Sequence, residues 1–182
     1  MKKVLISALF ALCLAVSAYA QPRAIGGRVG NSIEAVYQHS LGENNFVEVS
    51  LGMPFTIGVQ ATATYDWLFN ISAWKGEGKF NWYAGVGAGA GLVSHYYYQY
   101  FFWNPNDYIN AGFAGVCGHI GVEYVFEKIP LTLSVDYRPL IGAAFMSKTQ
   151  TTDWDYTYDL ESAAQFYIPG LYDFSITAKY IF

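Results

Sequence analysis

The sequence predicts an all-β fold, a closed antiparallel up-and-down transmembrane β-barrel of about eight strands. Three observations predict it. Segments that alternate apolar and polar residues recur along the chain, the period of a strand with two unlike faces. Aromatic residues make up 19% of the chain and charged residues 13%, so much apolar surface is left for a surrounding medium to cover. Beyond residue 20 no apolar stretch reaches the roughly eighteen residues a spanning helix needs. A chain that crosses lipid without helices must close its strands, because every backbone donor and acceptor has to be satisfied internally.

Taken in order, residues 1–20 carry Lys2 and Lys3, an apolar run from Val4 to Val16 and then Ala18-Tyr19-Ala20, the three regions of a cleavable secretory signal peptide. Cys13 follows Leu12, where a lipoprotein signal carries a small residue, so it is read as discarded with the leader. Residues 21–182 then form one domain by length. Without Lys2 and Lys3 they hold 8 basic and 14 acidic residues, a net charge of −6. That balance speaks against a nucleic-acid partner, which calls for a basic face. Cys117 is the single cysteine left, so no intrachain disulfide framework is possible. Neither a cofactor nor a metal site is signalled.

Strands are expected near 23–30, 32–41, 45–54, 56–70, 80–94, 110–126, 131–142 and 171–182. The first, AIGGRVG, is short and glycine-rich. Ile33, Ala35 and Tyr37 alternate with Glu34 and Gln38, and Val47, Val49 and Leu51 with Glu48 and Ser50. From Ile57 to Phe69 the odd positions are apolar or aromatic, with aromatics gathered at one end as in an interfacial girdle. Gly85, Gly87, Gly89 and Gly91 strip one face of side chains, making room for bulky lumen residues opposite. Ile120, Val122, Tyr124 and Phe126 oppose His119, Gly121 and Glu123; after the EKIP turn, Leu131, Leu133, Val135 and Tyr137 oppose Thr132, Ser134, Asp136 and Arg138. The last strand sets Phe174, Ile176, Ala178, Tyr180 and Phe182 against Ser175, Thr177 and Lys179. With both ends of the barrel on the periplasmic side, two long connections, Ser94 to Asn110 and Gly142 to Gly170, fall outside the cell.

Extending the period-two phase places Arg28, Glu34, Glu48, Asp66, His119, Glu123, Asp136, Arg138 and Lys179 inside. An interior of about eight strands is just wide enough to be filled by side chains, whereas a porin channel needs about sixteen. Charges withheld from water persist when paired, so a polar network of ion pairs is expected across a lumen closed to solutes. Five acids face three bases and one histidine, which assigns His119 or an ordered water to one acidic group.

The stretches AIGGRVG, NWYAGVGAGAG, GHIGVEYVF, IPLTLSVDYRP and ITAKYIF resemble the small eight-stranded outer-membrane barrels of the OmpA/OmpX type, and more closely the outer-membrane β-barrel proteins common in Bacteroidetes. They span most of residues 21–182, and each is a barrel-packing pattern without a catalytic motif. The resemblance implies residence in the bacterial outer membrane, contact with its lipid and lipopolysaccharide, and insertion by the assembly machinery that reads a terminal aromatic strand, here Tyr180 and Phe182. It implies no substrate, because fold analogy does not carry activity.

Four clusters suggest chemistry. Cys117 and His119 share a strand face and could pair a thiolate with a base, but no third orienting residue is signalled and the pair reads as lumen packing. His39-Ser40 evokes the Ser and His of outer-membrane lipid A deacylases; adjacent strand residues point to opposite faces, so it reads as a polar strand end. Asp153, Asp155, Asp159 and Glu161 supply oxygen ligands without EF-hand spacing, the pattern of a solvated acidic loop. Tyr96, Tyr97, Tyr98, Tyr100, Phe101, Phe102 and Trp103 crowd the first long connection, as girdle or strand extension or as a contact surface for a glycan, peptide or membrane protein.

The expected function is a structural or interaction role in the outer membrane, with the barrel as scaffold and the two long loops as contact surface; no enzyme activity is expected. The alternatives are a lipid-modifying enzyme at the rim and a narrow conduit for small solutes. The terminal strand yields a test: Phe182→Ser reduces membrane insertion more than Ile181→Ser, which alters the other face, and equal insertion of the two variants would refute the face assignment.

Overall fold

The computed structural model describes residues 23–54, 58–74, 77–94, 107–152, 155–157, 163–166 and 169–182. The expected leader, the aromatic run Tyr96 to Trp103, and Asp153, Asp159 and Glu161 of the acidic loop lie outside the described residues. The strands are β1 (Arg23–Gly30), β2 (Ser32–Ser40), β3 (Asn45–Pro54), β4 (Gly58–Asn70), β5 (Gly78–Ser94), β6 (Asp107–Phe126), β7 (Leu131–Tyr137), β8 (Leu140–Thr152), β9 (Asp155–Thr157), β10 (Ala163–Phe166) and β11 (Phe174–Ile181). A 3-10 turn, Pro169–Tyr172, precedes β11.

These eleven segments make a closed barrel of eight antiparallel strands. β1 to β6 pair in chain order, β7 pairs with β6, and β11 pairs with both β7 and β1. Reciprocal backbone bonds between Arg23 and Phe182, 3.1 and 2.8 Å, fasten the closing seam at its lower end. Starting at Arg28 and following paired residues through Glu34, Gly52 and Gln60 leads to Gly91 on β5. The opposite circuit, through Thr177, Ser134 and Glu123, reaches β5 at Asn81, ten residues away. Such a stagger tilts the strands by roughly 35–45° to the barrel axis and leaves an interior only side chains can fill.

Two wall strands are interrupted, and both depart from the expected boundaries. The strand expected over 131–142 breaks at Arg138-Pro139 and runs on as β8 to Thr152. The register along β6 is unbroken, with Ile120 opposite Tyr137 and Cys117 opposite Leu140. Pro139 offers no N–H to the ladder, but its carbonyl accepts from Gly118 N at 3.0 Å. The last wall strand begins earlier than the expected 171: part of the expected loop is β9 and β10, paired to β8. Between Phe166, opposite Ala143, and Phe174, opposite Tyr137, this strand carries two more residues than β7 and β8 do across the same interval. The 3-10 turn absorbs them.

Alternation sorts the faces. Inward positions away from the rims are mostly buried, and among described strand side chains no outward one is Asp, Glu, Lys or Arg except Arg23 at the start of β1. Toward the end that carries both barrel termini, aromatics pack on one another: Phe69 stacks on Trp82 at 4.4 Å, Trp74 meets Phe80 edge-to-face at 5.2 Å, Phe80 lies tilted against Tyr124 at 4.6 Å, and Tyr124 meets Phe126 of the same strand edge-to-face at 4.7 Å. Trp74 comes from the β4–β5 connection, and an exposed Lys128–Glu77 pair at 2.6 Å ties that connection to the β6–β7 turn.

Inward glycines make the narrow lumen possible, since a Cβ at Gly85 would strike the Asp66 carboxylate and one at Gly121 the Tyr83 ring. Each glycine receives a bulky side chain from the neighbouring strand. Gly121→Val therefore lowers barrel stability by about 1–3 kcal/mol, the usual cost of overpacking, read as the urea midpoint of the refolded protein. Gly118→Ala, whose Cβ would meet only Pro139 Cγ at 3.7 Å, leaves that midpoint unchanged or raises it.

Candidate functional site: the charged lumen

The nine charged residues placed inside by period two, Arg28, Glu34, Glu48, Asp66, His119, Glu123, Asp136, Arg138 and Lys179, are all buried, none more than 4% exposed. They come from β1, β2, β3, β4, β6, β7, β11 and the β7–β8 break, so seven of the eight wall strands contribute and β5 alone supplies none of the nine.

Nearest the barrel termini, Lys179 Nζ donates to Glu48 Oε2 at 3.0 Å and lies 5.6 Å from the centre of the Phe46 ring and 5.9 Å from that of Tyr83. Its neighbour Glu123 accepts from Asn81 Nδ2 at 3.0 Å. In the middle layer Arg28 donates from Nε and Nη2 to Asp136 Oδ1 at 3.0 and 2.8 Å, while Ser175 and Thr177 donate to the same carboxylate at 2.6 and 3.0 Å. His119 Nδ1 lies 2.9 Å from Asp66 Oδ1. An ionised carboxylate only accepts, so the imidazole donates from Nδ1, and Thr64 donates to the other Asp66 oxygen at 2.6 Å. Nε2 of His119 faces Asp136 Oδ1 at 3.7 Å, beyond hydrogen-bond reach.

In the next layer Arg138 gathers three strands. Its Nη2 donates to both Glu34 oxygens at 2.7 and 2.9 Å, and its Nη1 to Ser50 at 2.8 Å and Thr62 at 2.5 Å. Ser32 and Gln60 also donate to Glu34. The Arg138 Nε donates to Asp173 Oδ2 at 3.1 Å, and Arg28 Nη1 donates to both oxygens of Asp173 at 3.1 and 3.0 Å. Above this layer the lumen turns apolar, with Phe113, Cys117, Leu140 and Ala144 in one buried cluster.

Asp173 is the charged member that strand counting missed. It sits between the 3-10 turn and β11, although carrying the phase of Lys179, Thr177 and Ser175 one step back would have found it. With Asp173 the buried residues described in the lumen include six carboxylates against Arg28, Arg138, Lys179 and one histidine. The neutral donors Ser32, Gln60, Thr64, Asn81, Ser175 and Thr177 supply what the cations do not, and buried polar groups of this kind are ordinarily satisfied.

The other expected residues fall apart from this network. Cys117 and His119 are both buried on the inner face of β6, but Cys117 belongs to the apolar cluster and His119 to Asp66. His39 stacks on Tyr37 with ring centres 6.5 Å apart, and Ser40 follows on the opposite face. Tyr180 and Phe182 point outward, 55% and 60% exposed. Among the described residues no three His, Cys, Asp or Glu side chains group as a metal site requires. The arrangement therefore offers charge pairing and steric closure.

No protein-family model matches the chain, and neither the curated proteins nor the solved structures contain a match to it.

The pairing has a measurable consequence. Lys179→Met leaves Glu48 buried without its cation and destabilises the barrel by about 3–5 kcal/mol, as breaking one side of a buried pair does. The double variant Lys179→Met/Glu48→Gln recovers much of that loss. A double-mutant cycle of urea unfolding measures both, with additive losses contradicting the pairing.

Proposed function

We propose that the chain is an integral protein of the bacterial outer membrane, with a structural or interaction role in which a sealed barrel is the scaffold and the connections at its far end are the contact surface. One observation carries this reading. The barrel is inverted relative to a water-soluble one: its inner face holds nine-tenths-buried charges and its outer face an almost charge-free belt of Ile, Val, Leu, Ala and aromatic side chains. Large exposed apolar patches mark contact with another apolar phase. A belt that runs around every strand, edged by packed aromatics, has the chemistry of a lipid-facing wall.

Supporting it further, the backbone ladders close around the barrel through β11, which pairs with both β7 and β1, as a strand protein in hydrocarbon needs. The aromatic edge at the termini end fits an interface on the periplasmic side. The taller walls, β5, β6 and β8, rise from the other end. For transport, the arginine layer crossed by Glu34, Asp136 and Asp173 and the apolar layer above it both lie in the path of a solute. The lumen thus favours a plug whose work is stability.

Membrane fractionation and a gel comparing boiled with unboiled samples test the location. The expected outcome is recovery with outer membranes and a mobility shift on boiling; a soluble periplasmic protein, or identical migration, refutes it. In a planar bilayer the purified protein shows no regular, long-lived conductance steps. Reproducible steps that change with Arg138→Ala would replace the sealed scaffold with a conduit.

A further inference from the structure

The closing seam is laddered along the whole of β1, but the last wall strand rises beyond the point where β1 ends. β11 pairs with β1 from Ile181 opposite Ala24 up to Ser175 opposite Gly30. Beyond that point the wall strand continues as Asp173, the 3-10 turn and β10, and β10 pairs with β8 alone. On the β7–β8 side the excursion is held by one main-chain and one side-chain contact: Arg138 N donates to Asp173 O at 2.9 Å, and the Tyr137 hydroxyl donates to Leu171 O at 2.8 Å. On the β1 side, where the ladder has ended, the described link is the Arg28 guanidinium, whose Nη1 donates to both oxygens of the Asp173 carboxylate.

We infer that Asp173 is a latch on this seam: clamped between Arg28 of β1 and Arg138 of the β7–β8 break, its carboxylate holds the 3-10 excursion and β10 against the barrel, and releasing it opens the lumen at the end away from the termini. Three features support the device. A wall segment paired on one side only belongs to the low-stability part of a fold, where local opening begins. The two extra residues in the last strand give the excursion slack that a continuous strand lacks. Release leaves neither arginine isolated, because Arg28 keeps Asp136 and Arg138 keeps Glu34, so an opened seam is a folded state of the same barrel.

Cys117 reports on it. The thiol is 4% exposed and lies with Leu140 and Ala144 just above the arginine layer, where water enters if the seam parts. The experiment treats the full chain, folded in detergent micelles and checked by its mobility shift, with a water-soluble maleimide, and reads modification at Cys117 by peptide mass spectrometry. Wild type and Asp173→Glu react slowly. Asp173→Asn reacts about tenfold faster or more, the factor expected when charge-assisted bonds to a buried group are lost.

A folded Asp173→Asn that reacts at the wild-type rate overturns the latch and leaves the sealed lumen standing. Rapid reaction of wild type overturns both. If Asp173→Asn does not fold, hydrogen exchange on wild type decides: the amides of β10 and of the excursion open together and before those of β11. Equal protection of all three overturns the inference.

Discussion

Closure of eight strands at a stagger of ten residues is the constraint from which the other features of this protein follow. It sets a lumen too narrow for water to fill and too polar, by the alternation of the strands, to be an oil-like core. Each inward polar side chain is consequently both a packing element and an electrostatic partner. Bulky residues need glycines on the adjoining strand, as Tyr83 needs Gly121 and Asp66 needs Gly85. Long charged residues must reach across the lumen, as Arg138 does toward Glu34, Ser50 and Thr62. The outer face is released from all these demands and carries only what its surroundings require.

Burying so many charges is costly, and buried pairs are not in themselves a reason for stability. Here the alternation dictates it, because the outer face is apolar and the polar residues of each strand therefore lie inside. What makes the arrangement tolerable is saturation. Asp136 accepts from Arg28, Ser175 and Thr177, and Glu34 from Arg138, Ser32 and Gln60. Hydroxyl-bearing strand residues thus act as solvent for the carboxylates. Cys117 and His119, which resemble the beginnings of a reactive pair, are drawn into different layers of this packing and lose any claim to each other.

Much of this was legible from residue order, for a simple reason. A strand has a period of two and a barrel has only an inside and an outside, so one confident phase assigns every side chain on the strand. Arg28, Glu48 and Lys179 could be placed inside without knowing which strands were neighbours. Pairing was less accessible, since Lys179 with Glu48 or Arg138 with Glu34 depends on stagger, which no single strand records. The interruptions were hidden for a related reason. Pro139 breaks the ladder without shifting register, and the excursion at Pro169 to Tyr172 adds an even number of residues, so the alternation on either side stays in phase. Asp173 fell outside the counted partners because the argument for its neighbours rested on unbroken strands. For the function, the alternation identifies an apolar surface, not a ligand.

The location of the closing partners along the chain also governs how the molecule can be made. β1 through β7 meet as consecutive hairpins, but Arg28 finds Asp136 and Asp173 at separations of 108 and 145 residues, and Glu48 waits 131 residues for Lys179. Until the final strand arrives, a half-built sheet would hold unmatched ions on its concave side, a costly state to take out of water. Completion is therefore cooperative and late, and non-local topology of this kind is slow to form. A nascent chain broken off before β11 does not become a slightly weaker barrel. It is a curled sheet with raw charge inside and an open hydrogen-bonding edge, the kind of species that proteases and chaperones encounter first.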